Sequence, residues 1–247
     1  MTADPQIGSL SLGPDVGRDA LLLLSGGMDS AALAALTRPS RTLAIDYGQR
    51  PAVAELRAAR AVANQLGLPY DELRIDLSPI GAGLLHTDNE VGAPTTDSGG
   101  VGSDPSTTRR PGVLSSSPEW WPLRNQLLIS IAAAWALGQT TPEGAPIRVV
   151  YTATIVSDGG RHIDGTPAFY EALHRVTVMQ EGGISVVAPA IGYTAAGLAR
   201  LTGPDEALLG WTHSCHRSSI PCAECPGCYK RADVLTELGV LSHGTPS

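Results

Sequence analysis

Lysine is almost missing from this 247-residue chain, which carries one, Lys230. Arginine therefore supplies nearly all the positive charge, and Lys and Arg together (17) fall short of Asp and Glu (24), for a formal net charge of −7. Binding that rests on neutralising many phosphates needs a broad basic face, so a nucleic-acid partner is not expected and a small molecule is. No apolar run approaches the ~20 residues that a membrane span requires. The opening MTADPQIGSL has neither a basic segment nor an apolar core and does not read as a signal peptide, so a cytoplasmic location is expected. Cysteine is absent outside residues 215–228, which excludes a distributed disulfide framework. The P-loop pattern GxxxxGK[ST] does not occur either.

What is there alternates between short apolar runs and helical patterns. LLLL at 21–24 reads as a buried strand, DSAALAALTR as a small-residue helix packed on a sheet, and RTLAIDY as a second strand, which completes a βαβ unit. PAVAELRAARAVANQLG follows, with Val53, Leu56, Ala59, Val62 and Leu66 at helical spacing and Gly67 at the C-cap position. YDELRIDL supplies a third strand. From 81 to 118 the chain is rich in Gly, Ser, Thr, Pro and Asp, the composition of a mobile connection. LRNQLLISIAAAWALG then predicts a buried helix ending at Gly138, IRVVYTA a strand, TPAFYEALHRVTVMQ a helix starting at a proline, ISVVAPAI a strand, and TAAGLARLTG a short helix. The pattern predicts an α/β fold, a doubly wound and mostly parallel Rossmann-like sheet. It divides into a tail at 1–19, a nucleotide-binding domain at 20–210 with the mobile stretch inside it, and a C-terminal segment at 211–247.

The stretch LSGGMDS, residues 24–30, joins the first strand to the first helix. In such folds ligands bind at the carboxyl ends of the strands. Gly26 and Gly27 allow a tight turn and close backbone approach, Ser25 and Ser30 add hydroxyl donors, and the free N–H groups at the helix start favour an anion. A phosphate group fits this description, and Leu24, Ser25, Gly26, Gly27, Met28, Asp29 and Ser30 are the candidate nucleotide-binding turn.

Cys215-x6-Cys222-x2-Cys225-x2-Cys228 places four thiols close together. Softness and ligand count favour Zn²⁺, and four protein ligands leave no open position, so the ion should staple this segment rather than catalyse. His213 and His216 are expected to be neighbours of the site rather than ligands.

SGGMDS resembles the SGGxDS signature of the pyrophosphate-loop ATP-binding superfamily, whose nucleotide-binding domain is of the adenine-nucleotide alpha-hydrolase-like type. With DYGQR at 46–50, WPLRNQLLISIAAAWA at 121–136 and the cysteine cluster followed by YKRADVL, the chain resembles a divergent member of the 7-cyano-7-deazaguanine synthase family, over roughly residues 20–238. The resemblance implies an ATP-dependent carbon–nitrogen ligase of queuosine biosynthesis. Such an enzyme activates the carboxylate of 7-carboxy-7-deazaguanine with ATP and Mg²⁺ for attack by ammonia, giving an amide and then the nitrile preQ0. It also implies a four-cysteine zinc site and a homodimer. Asp29 would hold Mg²⁺ or phosphate, Tyr47, Gln49, Arg50, Arg124 and Asn125 would complete the ATP pocket, and Asp29, Arg124 and Asp158 would be the catalytic set. Asp158, Arg161, His162 and Asp164 would form the substrate loop.

Two departures stand out. Ala195 falls where the family pattern has a phosphate-binding lysine, and Val156 where it has a glutamate assigned to the guanine-like edge of the base. A ligase acting on another carboxylate or on a protein, and a non-catalytic nucleotide-binding sensor or partner subunit, are the alternatives these departures raise.

Overall fold

The computed structural model describes residues 16–86, 118–203 and 206–241, the side chain of Glu206 excepted. The expected tail at 1–19 and mobile connection at 81–118 lie largely outside these residues. Strand β1 (Ala20–Leu23) leads through the glycine turn into helix α1 (Met28–Thr37). Then come β2 (Arg41–Asp46), α2 (Ala52–Leu66) and β3 (Tyr70–Arg74). Beyond residue 118 the order is α3 (Arg124–Ala136), β4 (Val149–Tyr151), the single turn α4 (Val156–Gly159), α5 (Pro167–Val178) and β5 (Ser185–Val187). Helices α6 (Ala195–Leu201), α7 (Glu206–Trp211) and α8 (Pro226–Glu237) close the described chain.

Among the described residues five strands form one sheet in the order β3-β2-β1-β4-β5 with each strand pairing parallel, in keeping with the expected doubly wound, mostly parallel sheet. Chain order reverses between β1 and β4. That reversal opens a crevice at the carboxyl ends of these two strands, the place where open α/β sheets bind ligands.

Side chains of β1 alternate between two cores, as the period of two in a strand requires. Leu21 packs with Leu43, Ile129, Val150 and Tyr170 on the face covered by α3 and α5. Leu22 and Leu24 pack with Ala31, Ala34, Ala59, Val62 and Leu198 on the face covered by α1, α2 and α6. The sheet is thus wound on both faces.

Two local expectations are corrected. The buried stripe of α2 consists of Ala52, Ala54, Ala58, Ala59, Val62 and Ala63, while Val53 is 72% exposed. The close approach of α2 to the glycine turn selects the small residues and turns Val53 outward. Helix α3 is buried on one face only, through Ile129, Ala132, Ala133 and Ala136, because it covers one side of the sheet and its outer side meets solvent. Gly67 ends α2 in the left-handed conformation with φ 62°, its N–H reaching the carbonyls of Ala63 and Asn64. Thr166 caps α5 by accepting from Phe169 N–H, with Pro167 at the first helical position.

Candidate functional site

The glycine turn is held from three directions. Gly26 has φ +77°, and a Cβ on it would lie 2.5 Å from the carbonyl oxygen of Glu55 and 2.8 Å from Ala59 N, so α2 leaves room for glycine alone. The Gly26 carbonyl accepts a 2.8 Å hydrogen bond from His213 N–H, which ties the turn to the C-terminal segment. Within the turn, Ser30 Oγ donates to Gly27 O at 3.0 Å and lies 3.1 Å from Ser25 Oγ, and Gly27 N–H reaches Ser25 Oγ at 3.3 Å. Gly27 is the N-cap of α1, so the helix begins against the crevice with its unpaired N–H groups there.

Above the crevice lies a cavity of about 340 Å³. Its wall includes Leu24, Ser25, Gly27, Asp29 and Ser30 from the turn, Tyr47 and Gln49 after β2, Arg124 and Asn125 at the start of α3, and Asp158, Arg161 and His162 after β4. A smaller adjoining cavity of about 150 Å³ is lined by Met28 together with Ser25, Gly27, Asp29 and residues of the C-terminal segment. Three candidates lie off these walls. Gly26 faces α2, Arg50 donates its backbone N–H to Leu85 O, and Asp164 offers its carbonyl to Asn125 Nδ2 at 2.9 Å.

Gln49 has an architectural position. It is buried, accepts from Tyr47 N–H at 2.8 Å, and donates to Ile45 O at 3.2 Å and to Glu55 Oε2 at 2.8 Å. Burial pushes the Glu55 carboxyl upward, against the opposing pull of Gln49 and Arg124. Tyr47 packs edge-on against Trp121 at 5.1 Å, and burial drives its phenol up to about 12, so it stays a hydrogen-bonding hydroxyl. Burial also opposes the charge on Arg124, but the nearby Tyr47, Asp164 and Glu55 outweigh it and raise its pKa.

Asp29 sits in the first turn of α1. Its Oδ2 accepts from Lys230 Nζ at 2.7 Å, while Oδ1 is buried with no hydrogen-bond partner among the described residues. Burial raises its pKa and Lys230 opposes the rise. Lys230 also lies 3.9 Å from Asp158, whose Oδ2 accepts from Ile155 N–H at 3.0 Å at the start of α4. At another part of the wall, Glu119 is ion-paired with Arg161 and lies 3.5 Å from His162 Nε2.

Lys230, Glu119 and His216 also line the cavity, and the sequence does not single them out for it. None has a local signal: Glu119 precedes a Trp-Trp pair, and the other two sit within the cysteine segment, far along the chain from the turn. Val156 is 51% exposed and is not on the cavity wall, so the side chain at the departure position does not face the ligand space. Ala195, at the first position of α6, packs against the cluster of Met28, Ala196, Leu209, Val234 and Leu235.

The four cysteine Sγ atoms lie within 4.8 Å of one another, with Cys215 to Cys225 and Cys222 to Cys228 both 4.0 Å apart. Tetrahedral zinc with Zn–S bonds of about 2.3 Å needs S···S separations of roughly 3.8 Å, so these thiols fit such an ion. Backbone N–H groups of His216 and Arg217 point at Cys225 and Cys215 at 3.3 and 3.4 Å, the pattern that steadies thiolates. Ala223, between two of the cysteines, adopts φ 60° and turns the chain sharply. Cys225 is the N-cap of α8, and Gly227 packs so tightly that a Cβ would meet Ser214 O at 1.8 Å. His213 Nε2 pairs with Ser218 O at 3.0 Å, and His216 faces the cavity. The cysteine set requires neither imidazole.

Fold and site together define a parallel α/β protein with a glycine turn and a cavity at its switch point and a cysteine-cluster appendage that closes one wall. A family model described as "Queuosine biosynthesis protein QueC" matches residues 19–239. The chain belongs to this QueC family. Among curated proteins it is 30% identical over 246 residues to 7-cyano-7-deazaguanine synthase of Pseudomonas aeruginosa, covering 93% of this chain and 98% of the relative. It is 27% identical over 229 residues to the synthase of that name from Methanosarcina barkeri, covering 90% and 95%. Among solved structures, NMN synthetase from Francisella tularensis aligns over 92% of this chain and 80% of its own, with 12% identity and a TM-score of 0.43.

Proposed function

We propose that this protein is an ATP-dependent ligase that converts 7-carboxy-7-deazaguanine, or a closely related acid, to its amide and then its nitrile with ammonia. The observation that carries this reading is the continuity of one cavity from the Ser25–Ser30 turn to Asp158, Arg161 and His162. A nucleotide held by the turn and an acid held at the far wall would share one enclosed space, as adenylation demands.

In this reading the α1 N-terminus, Ser25 and Ser30 hold the phosphates. The buried Oδ1 of Asp29 is an acceptor suited to Mg²⁺, which would neutralise charge on the leaving pyrophosphate. The carboxylate oxygen of the substrate attacks the α-phosphorus and pyrophosphate departs. Ammonia then attacks the acyl carbon, AMP leaves, and the amide forms. A second ATP activates the amide oxygen in the same way with release of pyrophosphate, and that oxygen departs as part of AMP while the nitrogen gives up two protons, leaving the nitrile. Asn125, donating to Asp164 O, holds the substrate loop against α3, and Arg124 stands where the nucleotide and the acid meet. The cysteine cluster holds Zn²⁺ as a structural ion. The enzyme acts in the cytoplasm as a homodimer.

The test is mass spectrometry of the zinc-loaded protein with Mg-ATP, ammonium and 7-carboxy-7-deazaguanine, following nucleotide and base together. Amide or nitrile appearing with AMP and pyrophosphate is the expected result. An unchanged base with bound but intact ATP would replace this reading with that of a nucleotide-binding protein or a ligase for another acid.

A further inference from the structure

The phosphate cradle lacks a lysine where the resemblance places one, since that position is Ala195, packed in an apolar cluster. The chain has one lysine in total, and it is in the cavity. Lys230 lies on α8, 201 positions from Asp29 in sequence, yet its Nζ is 2.7 Å from Asp29 Oδ2 and 3.9 Å from Asp158. It lines both the main cavity and the adjoining one beside Ser25 and Gly27.

The two guanidinium groups on the main wall face different partners. Arg124 lies among Tyr47, Glu55 and Asp164, and Arg161 is paired with Glu119. Without Lys230, the carboxylates of Asp29 and Asp158 would present uncompensated negative charge to an incoming triphosphate. An ammonium on a flexible four-carbon stem can move from a carboxylate to a phosphate oxygen within one cavity. The buried Oδ1 of Asp29 leaves that carboxylate an oxygen for the cation arriving with the nucleotide.

We propose that Lys230 is the phosphate-binding cation of this site, supplied by the cysteine-capped helix α8 in place of a lysine at 195. This rests on the ATP-binding reading above. Its placement depends on the cysteine segment: Cys225 caps α8, Cys228 lies on its first turn, Gly227 is locked against Ser214, and His213 N–H holds Gly26 O. Metal loading of the cysteines and phosphate affinity at the turn should therefore be linked.

The experiment is calorimetric titration of the zinc-loaded protein with Mg-ATP and, separately, with inorganic pyrophosphate. Lys230→Met should bind both about tenfold or more weakly, the effect of losing one charge-assisted hydrogen bond, while Lys230→Arg retains most of the affinity. Because the chain has a single lysine, acylation of its side chain offers a second measurement on the unaltered protein, valid even if Lys230→Met fails to fold. Pyrophosphate should slow that acylation. Equal affinity in Lys230→Met, or equal acylation with and without pyrophosphate, overturns the proposal while leaving ATP binding intact. Wild-type protein that binds neither ligand overturns both.

Discussion

Glu119 and Arg161 form an ion pair in the cavity wall in which the carboxylate is nearly sealed from solvent, at 6% exposure, and the guanidinium is 38% exposed. Removing the cation leaves a buried charge, whereas removing both partners leaves none. Arg161→Met should therefore destabilise the protein by about 1–3 kcal/mol, and adding Glu119→Gln should recover part of that loss. A double-mutant cycle in urea measures the coupling, and additive effects would show that the pair contributes nothing to stability.

The two glycines of the turn should respond differently to alanine. Gly26 combines φ +77° with a backbone oxygen 2.5 Å from where an added methyl would stand, so Gly26→Ala should cost about 2 kcal/mol or more in thermal or denaturant unfolding. Gly27 has φ −77°, and its nearest neighbour there would be Ser25 Oγ at 3.4 Å, so Gly27→Ala should fold normally. Its methyl would instead stand between the backbone and a phosphate, so the loss should appear in ATP affinity.

The turn, its strand and the cysteine cluster are legible in the sequence because each is written within a dozen or so consecutive residues. Apolar residues leading into SGG, and four thiols at metal-ligand spacing, are local patterns. The cavity wall is not legible in the same way. Lys230 and Glu119 reach the cavity only through tertiary packing, and neither has neighbours that mark it. Helix faces are hard to read for a related reason: hydropathy favours Val53, but closeness to Gly26 selects Ala58 and Ala59, whose lack of bulk is their qualification. Ala195 and Val156 are losses when judged by position along the chain. Neither side chain lines the cavity, so position along the chain does not tell what those two departures do to its wall.

Removal of the Zn²⁺ proposed for the four cysteines should act locally first. The cysteine hairpin touches the sheet domain through His213 to Gly26 and through Arg57 to Ser219 O at 3.3 Å. Chelator treatment should speed amide exchange across 213–237 and in the turn at 25–30, while the amides of β1, β2 and β4 remain protected. Uniform loss of protection would mean that the metal holds the whole fold together.

Glu55 sets a pH dependence. Burial raises its folded-state pKa above the ordinary value of 4.5. The folded state then binds more protons than the unfolded state in the window just above that value, and stability attributable to this group falls as pH rises through it. Glu55→Gln keeps an acceptor for Gln49 and removes the titration. The variant should gain stability relative to wild type as pH climbs from about 4.5 toward neutrality, measured as the difference in unfolding midpoints. A constant difference across that range would exclude Glu55 as a source of pH sensitivity.

The Asp29–Lys230 contact has a consequence for the order in which the protein is made. The five described strands are complete once Val187 has been synthesised, so a nascent chain can lay down this sheet while the crevice still lacks a side. His216, Gly227 and Lys230 arrive later, on a segment organised around its own thiols. A ribosome-bound chain halted before Cys215 would thus carry the sheet and an unfinished pocket, and the ATP binding proposed for that pocket would be acquired as a late step of biogenesis.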